Sequence, residues 1–320
     1  MNAESSYRIM QHFISLDTLK PAEFADLLAV ATYLKRRRAQ GIPEHALAGK
    51  TLAMVFEKPS LRTRLSFEQA MSELGGRSVY IRGEEIGLGK REPIQDVARV
   101  LSRYVQGIMA RVYKHESVAG LAQFGSVPVI NGLCDRFHPC QALGDLLTVQ
   151  EHLGTTKGLR IVFVGDGNNV ARSLAHATVL GGSEFVLACP QGYGWSAEDR
   201  VKFARQPVSE VNDPSRAVAG AHVIYTDVWT SMGQEAEQAK RIHDFQGYQI
   251  NAGLIAQARS DARIMHCLPA HRDEEITDEA VEHSRSIIFD QAENRLHAQK
   301  AILRLVMAQD NEHVLAAAKK

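Results

Sequence analysis

The chain has 320 residues, of which 45% are hydrophobic and 23% are charged, so its composition suits a globular protein of about two domains. Its 37 basic side chains balance 37 acidic ones. Because there is no basic excess, general binding to nucleic acids or to membrane surfaces is not expected.

The first half of the chain alternates predicted helices and strands. Positions 21–38 form a predicted amphipathic helix that opens with a proline, because apolar residues recur at helical spacing. The segment TLAMVF is a predicted buried strand, and a helix begins after it near Arg64. Further strands are predicted at SVYI, GIMARV and VPVI, and a helix is predicted at PIQDVARVLSRY. This alternation is typical of a parallel sheet covered by helices.

A second alternation follows a long predicted helix at positions 138–153. The segment LRIVFVGDGNNV is predicted to be a strand, a glycine turn and the start of a helix, and EFVLAC, HVIYTDV, RIMHCLP and SIIF supply further strands. We therefore predict an α/β protein of two domains, 1–134 and 135–320, each a parallel sheet flanked by helices. A C-terminal helix from about residue 291 is expected to return to the first domain.

The cysteines and the N-terminal stretch indicate a cytoplasmic protein. Cys134, Cys140, Cys189 and Cys267 show neither the C-x-x-C spacing of a zinc ribbon nor a disulfide pattern. The stretch MNAESSYRIMQHFISL lacks the basic start and long apolar core of a signal peptide. No apolar run reaches the roughly 18 residues of a membrane helix. We therefore expect no membrane partner, no nucleic-acid partner, no metal and no cofactor.

Polar residues follow several predicted strands at their carboxyl ends. Ligands of open α/β sheets collect beyond these ends, so a cleft between the two halves is the expected site. The residues at strand ends are Ser60 to Arg64, Arg111, Asp166 to Asn169, Asp227 and Cys267.

The segment FEKPSLRTRLSFEQAM places two hydroxyls and two arginines at the start of a predicted helix. A helix N-terminus carries unpaired N–H groups and a partial positive charge, which suit an anion. Because guanidinium groups match phosphate oxygens in pairs, this turn is a candidate phosphate site. The alternative is a surface turn whose arginines face water or pair with Glu57 and Glu68. The candidate residues are Ser60, Arg62, Thr63 and Arg64.

The remaining motifs allow more than one interpretation. GDGNNV has Val170 where a dinucleotide fingerprint has its third glycine, so a nicotinamide site is only weakly indicated. His138 and Gln141 are three positions apart and lie on one face at the start of a predicted helix. They are either catalytic residues or structural ones. DVWTSMGQE is a mobile cover or a turn. In HCLPAHRDEEI, Cys267 is a site residue or a buried thiol, and it and His266 lack partners at metal-ligand spacing.

These motifs together resemble those of the carbamoyltransferase family. The resemblance runs through SLRTR, HPCQAL, GDGNN, DVWTSMG, HCLPAHR and FDQAENR, and so covers nearly the whole chain. DVWTSMG and HCLP are similar to the ornithine branch rather than the aspartate branch. The resemblance implies transfer of the carbamoyl group of carbamoyl phosphate to the δ-amine of L-ornithine, giving L-citrulline and phosphate.

The resemblance also implies which residues bind each substrate. Those implied to bind carbamoyl phosphate are Ser60, Leu61, Arg62, Thr63, Arg64, Arg111, His138, Pro139, Cys140, Gln141, Cys267, Leu268 and Arg295. Those implied to bind ornithine are Asn169, Asp227, Ser231 and Met232. The implied catalytic residues are Arg62, Arg111, His138 and Cys267. Leu61 and Cys140 depart from the family, because threonine is common at both positions.

The chemistry of the reaction fits these roles. Attack of an amine on the carbamoyl carbon builds negative charge on the carbonyl oxygen and then on the departing phosphate, and the arginines and His138 would stabilise both. A free alkylamine has a pKa near 10, so the enzyme must bind or create its neutral form, and the phosphate can accept the proton. Asp227 carries the charge expected to hold an α-ammonium group.

Two alternatives stay open. The enzyme could carbamoylate a related amine, acetylornithine or putrescine, although Asp227 argues against a blocked α-amine. A non-catalytic relative that binds a phosphorylated metabolite would share the fold. The resemblance further implies a homotrimer or stacked trimers, in which the EEIGLGKREP segment contributes a polar residue to a neighbouring subunit's site. Lys90 is a candidate for that residue, and the alternative is a solvated surface lysine.

Overall fold

The computed structural model describes residues 10–231, 233 and 235–320. The strands are β1 (Thr51–Phe56), β2 (Arg77–Arg82), β3 (Gly107–Arg111), β4 (Val129–Leu133), β5 (Arg160–Val164), β6 (Glu184–Ala188), β7 (Val208–Val211), β8 (Val223–Thr226) and β9 (Arg263–His266). The helices are α1 (Pro21–Ala39), α2 (Leu61–Glu73), α3 (Gly83–Ile86), α4 (Ile94–Tyr104), α5 (His115–Phe124), α6 (Pro139–Leu153), α7 (Asn169–Leu180), α8 (Ala197–Phe203), α9 (Pro214–Val218), α10 (Gln238–Asp244), α11 (Ala252–Gln257), α12 (Asp278–Val281), α13 (Ile288–Met307) and α14 (Asn311–Ala318), with a 3₁₀ turn at Glu235–Glu237.

The chain divides into two compact units. The first comprises the residues up to Leu147 together with Arg295–Lys320, and the second comprises Thr148–Asn294. The sequence-based boundary between residues 134 and 135 lies ahead of α6, whereas the first part of this helix belongs to the first unit. In this first part of α6, the buried thiol of Cys140 donates a hydrogen bond to the backbone oxygen of Asn131 in β4.

The first unit contains a parallel sheet of order β2-β1-β3-β4. TLAMVF, SVYI, GIMARV and VPVI each supply one of these strands, so the predictions for this half are confirmed. β1 is buried along its whole length, as expected for a central strand covered on both faces. Phe56 pairs with Arg111 of the neighbouring strand. The turn that follows β1 therefore begins beside the end of β3.

The second unit contains a parallel sheet of order β7-β6-β5-β8-β9. The strands predicted at RIVFV, EFVLAC, HVIYTDV and RIMHCLP are confirmed, whereas β7 was not predicted, because it is short and not fully buried. β8 and β9 are neighbours, and Thr226 pairs with His266 at their carboxyl ends. Asp227 and Cys267 therefore emerge side by side from the sheet.

The predicted strand at SIIF is wrong. Ser286 forms an isolated bridge with Ile264 of β9, and the backbone N–H of Ile287 donates to the oxygen of Ile264 at 3.0 Å. The chain then enters α13 at Ile288. A short apolar run does not distinguish a buried strand from the start of a buried helix. Among the described helices, none has the length and apolar character needed to cross a membrane.

Candidate active site

Ser60 caps the helix that follows β1. Its side-chain oxygen accepts a hydrogen bond from the backbone N–H of Thr63 at 3.4 Å, and the two hydroxyl groups are hydrogen-bonded at 3.1 Å. Leu61 begins α2, and 71% of its surface is exposed. Its backbone N–H is thus the polar group that this position offers. First-turn N–H groups lack partners inside a helix, so the turn keeps the anion-binding character of a helix N-terminus.

The hydroxyl of Thr63 joins two guanidinium groups from distant parts of the chain. Arg295 Nη2 donates to Thr63 Oγ1 at 2.8 Å, and Arg111 Nη1 donates to it at 3.4 Å. Thr63 is fully buried, and the two arginines are only 3% and 5% exposed. A hydroxyl oxygen accepts these bonds without cancelling the positive charges. The Thr63 cluster (Thr63, Arg111 and Arg295) is therefore suited to a negatively charged ligand.

His138 is neutral in this environment. Burial, together with the positive charges of Arg295 and Arg111, holds the pKa of His138 well below its ordinary value. A neutral imidazole still has one N–H to donate. The pKa of Lys58, which precedes the turn, is also lowered, because its ammonium group is buried and lies near the positive charge of Arg111.

Gln141 lies in the first turn of α6, three positions after His138, and its side chain offers a hydrogen-bond acceptor. Its Nε2 donates to Asp145 Oδ1, one turn further along α6, at 2.8 Å. Its Oε1 is buried and accepts no hydrogen bond from the described residues. Because a buried acceptor without a donor is costly, this oxygen is suited to take an N–H from a ligand.

Pro139 and Cys140 are the first two residues of α6 and have structural roles there. Proline is favoured at the first position of a helix, where no backbone N–H is needed. Burial raises the pKa of the Cys140 thiol to about 12, and that thiol donates to the oxygen of Asn131 at 3.3 Å. Cys140 is therefore a neutral thiol that ties α6 to β4.

The two arginines of the turn differ in their surroundings. Arg64 Nε donates to Glu68 Oε1 at 2.9 Å, and its guanidinium lies 4.3 Å from the centre of the Tyr80 ring. Arg62 is half-buried, and its Nε has no hydrogen-bond acceptor among the described residues. Arg64 thus matches the surface alternative, while Arg62 is the stronger candidate for binding an anion.

In the second unit, Asp227 receives hydrogen bonds from two other strand ends. Cys267 Sγ donates to Asp227 Oδ1 at 3.0 Å, and Asn168 Nδ2 donates to Oδ2 at 2.9 Å. The backbone N–H of Val228 also donates to Oδ1 at 2.9 Å. Asp227 is 7% exposed. Its carboxylate is therefore held in one orientation and can present its remaining lone pairs to a cation.

The other predicted ornithine-binding residues lie on the loops around this carboxylate. Asn169 begins α7, immediately after its capping residue Asn168. Ser231 is half-buried in the loop after β8, and Met232 lies outside the described residues. Leu268 has a φ of 56°, a left-handed conformation that is uncommon for a residue other than glycine and is frequent at functional sites.

Three residues near these groups were given no individual role by the sequence. Arg241 Nη1 donates to Asp166 Oδ2 at 2.8 Å and to the backbone oxygen of Trp229 at 2.9 Å, and so fixes the loop after β8. Lys58 was not marked by any spacing. Asn168 had one usable signal, because asparagine is preferred as a helix cap.

Gly167 of GDGNNV has a packing role. A Cβ atom on Gly167 would lie 2.9 Å from the backbone carbonyl group of Gly194. Real Cβ atoms do not approach backbone atoms so closely, so glycine is required by two loops in contact. This constraint accounts for Gly167 without a nicotinamide cofactor.

Known proteins provide an independent comparison. The carbamoyl-P binding domain of aspartate/ornithine carbamoyltransferases matches residues 11–151, and their Asp/Orn binding domain matches residues 157–306. The ornithine carbamoyltransferase of Methanocorpusculum labreanum is 49% identical over 300 residues, which cover 93% of this chain and 98% of the relative. The anabolic ornithine carbamoyltransferase of Pyrococcus furiosus is 51% identical over 292 residues, which cover 89% and 92%.

A solved structure agrees with the sequence comparison. The ornithine carbamoyltransferase of Pyrococcus furiosus has a TM-score of 0.90 and 49% identity to this chain, with coverage of 93% of this chain and 97% of its own. Similarity of this extent includes both units and their sheets. The chain belongs to the aspartate/ornithine carbamoyltransferase family.

Proposed function

We propose that this chain is an ornithine carbamoyltransferase, which converts carbamoyl phosphate and L-ornithine into L-citrulline and phosphate. The observation that carries the proposal is the Thr63 cluster, where two buried guanidinium groups share one neutral hydroxyl beside a neutral His138. The relatives that this chain matches along nearly its full length bear the same name.

Carbamoyl phosphate is the ligand of the first unit in this proposal. Its phosphate is held by the helix start at Ser60, by Arg62 and by the Thr63 cluster, where charge-assisted hydrogen bonds are strongest. His138 donates its N–H to the carbonyl oxygen. The unpaired Oε1 of Gln141 accepts an N–H of the carbamoyl amide.

Ornithine is the ligand of the second unit. The oriented carboxylate of Asp227 binds the α-ammonium group, with Asn169 and Ser231 beside it. Cys267 and Leu268 are proposed to lie near the δ-amine. Met232 is proposed to act through its backbone.

The reaction forms one C–N bond and breaks one C–O bond. The neutral δ-nitrogen attacks the carbamoyl carbon, and negative charge grows on the carbonyl oxygen, where Arg111 and His138 donate hydrogen bonds. The bond to the phosphate oxygen then breaks, and the leaving phosphate takes the proton that the nitrogen loses. Loss of one such preorganised donor typically lowers turnover by about 100- to 1000-fold.

A substrate panel tests the proposal. Citrulline formation with L-ornithine is compared with carbamoylation of acetylornithine and of putrescine, with carbamoyl phosphate as the common donor. We expect the highest kcat/KM with L-ornithine, because acetylornithine lacks the free α-ammonium group that Asp227 matches and putrescine lacks the α-carboxylate. A preference for acetylornithine would refute the assignment of Asp227, a preference for putrescine would refute L-ornithine as the substrate, and inactivity with all three would refute the transferase.

We further propose that the enzyme works in the cytoplasm, in arginine biosynthesis, as a homotrimer or as stacked trimers. The relative from Pyrococcus furiosus is named anabolic, and the four cysteines are free thiols. Large apolar side chains are exposed on α2 and α4, among them Leu65 at 54% and Tyr104 at 74%, and burial against another copy would remove them from water. Light scattering that finds an active monomer would contradict the assembly.

A further inference from the structure

Donor atoms converge on the segment that follows β9. One ligand atom each from His271, Glu274 and Glu275 lies within 4.8 Å of the other two. The nitrogen His271 Nδ1 is 3.4 Å from Glu274 Oε2. The three residues stand at positions i, i+3 and i+4, beyond the residues assigned to substrate binding.

Glu275 supplies the fixed member of this group. It is fully buried, and its Oε1 lies 2.9 Å from His266 Nε2 and accepts the backbone N–H of His271 at 2.7 Å. Its Oε2 is also buried but has no hydrogen-bond partner among the described residues, and the same holds for Oε2 of Glu274. Two desolvated carboxylate oxygens without donors are energetically costly.

The hydrogen bonds of His266 do not compensate for the burial of the Glu275 carboxylate. The backbone N–H of Leu268 donates to His266 Nδ1 at 2.9 Å, so the ring proton must be on Nε2, which donates to Glu275 Oε1. Both donors to Oε1 are thus neutral, and neither cancels the charge of the carboxylate. Oε2 is therefore the oxygen of Glu275 that is left for a balancing cation.

A neighbouring group of potential ligands is held together by its own hydrogen bonds. Asp227, His266 and Cys267 also bring their ligand atoms within 4.8 Å of one another. However, both ring nitrogens of His266 are already used, and the Cys267 thiol donates to Asp227.

We propose that His271 Nδ1, Glu274 Oε2 and Glu275 Oε2 bind a divalent transition-metal cation with the preferences of Zn²⁺. One imidazole and two carboxylates suit Zn²⁺ better than Mg²⁺. Bonds of about 2.1 Å in tetrahedral geometry place ligand atoms roughly 3.4 Å apart, which is the separation found between His271 and Glu274. Water completes the coordination, because the side chains of His271 and Glu274 are 43% and 29% exposed.

The cation would stabilise the segment between His266 and Glu275. It binds the native arrangement only, so it raises the unfolding temperature by mass action. At a free cation concentration one hundred times the dissociation constant, we expect a rise of about 5 °C.

Calorimetric titration of the full-length, metal-free protein with ZnCl₂ tests the proposal. We expect one saturable site in the wild type, and little heat with MgCl₂. His271→Ala and Glu274→Gln each remove one partly exposed ligand, and each should weaken Zn²⁺ binding at least tenfold and abolish the thermal shift. Glu275 is left in place, because its substitution would also disturb His266.

Two variants serve as controls. His243→Ala removes an exposed imidazole whose Nδ1 lies 3.2 Å from Asp244 Oδ1, and it should leave Zn²⁺ affinity unchanged. Cys267→Ser removes the thiol of the neighbouring group and should also retain the site. The proposal is overturned if the wild type shows no saturable Zn²⁺ binding, if Cys267→Ser or His243→Ala abolishes binding, or if neither ligand variant weakens it.

Discussion

Replacing Thr63 by valine tests the centre of the candidate phosphate site. Valine preserves the shape of threonine but removes the hydroxyl oxygen that accepts the bonds of Arg111 and Arg295. Both guanidinium groups are at least nine-tenths buried, so water does not readily replace the lost acceptor. We expect the free protein to be destabilised.

The magnitude follows from the two distances. A hydrogen bond from a charged donor is worth about 1.5–3 kcal/mol, which applies to Arg295 at 2.8 Å. The bond of Arg111 is 3.4 Å long, near the limit of a hydrogen bond, and adds about 1 kcal/mol at most. The free energy of unfolding should therefore fall by roughly 3 kcal/mol.

Urea unfolding with and without saturating carbamoyl phosphate measures this change. Phosphate oxygens would accept the stranded N–H groups, so the deficit of Thr63→Val should shrink when the ligand is bound. Thr32→Val is the matched control, because among the described residues the Thr32 hydroxyl donates only to the Leu28 backbone oxygen. An unchanged midpoint for Thr63→Val would refute the role of the hydroxyl. A deficit that is equal with and without the ligand would show that the guanidiniums do not face the anion.

Further predictions concern the turn, the loop after β8 and the buried imidazole. Arg62→Ala should abolish most turnover and weaken carbamoyl phosphate binding, whereas Arg64→Ala should change both less than tenfold in steady-state kinetics, because Arg64 already pairs with a glutamate. Equal losses would contradict this distinction. Arg241→Met removes the hydrogen bond to the Trp229 backbone oxygen. It should raise the KM for ornithine roughly tenfold or more and leave the affinity for carbamoyl phosphate unchanged. A fall in both affinities would indicate general unfolding. Because the pKa of His138 is lowered in the native state, the unfolded chain binds more protons just below pH 6.5, so stability falls as the pH falls through that window. His138→Asn should lose less stability between about pH 7.5 and 5.5 in urea unfolding, and an equal loss would contradict the shift.

Local patterns predicted the parts of the molecule that depend on local sequence. Buried strands such as TLAMVF are short apolar runs between turns, and the helix start at Ser60 has a capping residue and an adjacent pair of arginines. The placement of Asp227 and Cys267 directly after predicted strands also followed from the sequence. These features need no knowledge of distant contacts.

Features that depend on tertiary packing were not predictable in this way. SIIF has the composition of a strand, yet it contributes one bridge and then a helix. Arg62 and Arg64 look equivalent in the sequence, and only the positions of Glu68 and Tyr80 separate them. The hydrogen bond between Arg295 and Thr63 is a contact that no local spacing encodes, although family resemblance implied a role for Arg295.

The discontinuity of the first unit affects how the protein is made. Thr63 and Arg295 are 232 positions apart, and the second unit occupies the uninterrupted segment between Thr148 and Asn294. Domains generally fold as units during synthesis. On the ribosome, the second unit therefore has all its residues before the first does. Until Arg295 has been synthesised, the first unit lacks one of its two buried guanidinium groups. The nascent chain should therefore acquire anion affinity only when translation is almost finished, and a chain truncated before Arg295 should not acquire it.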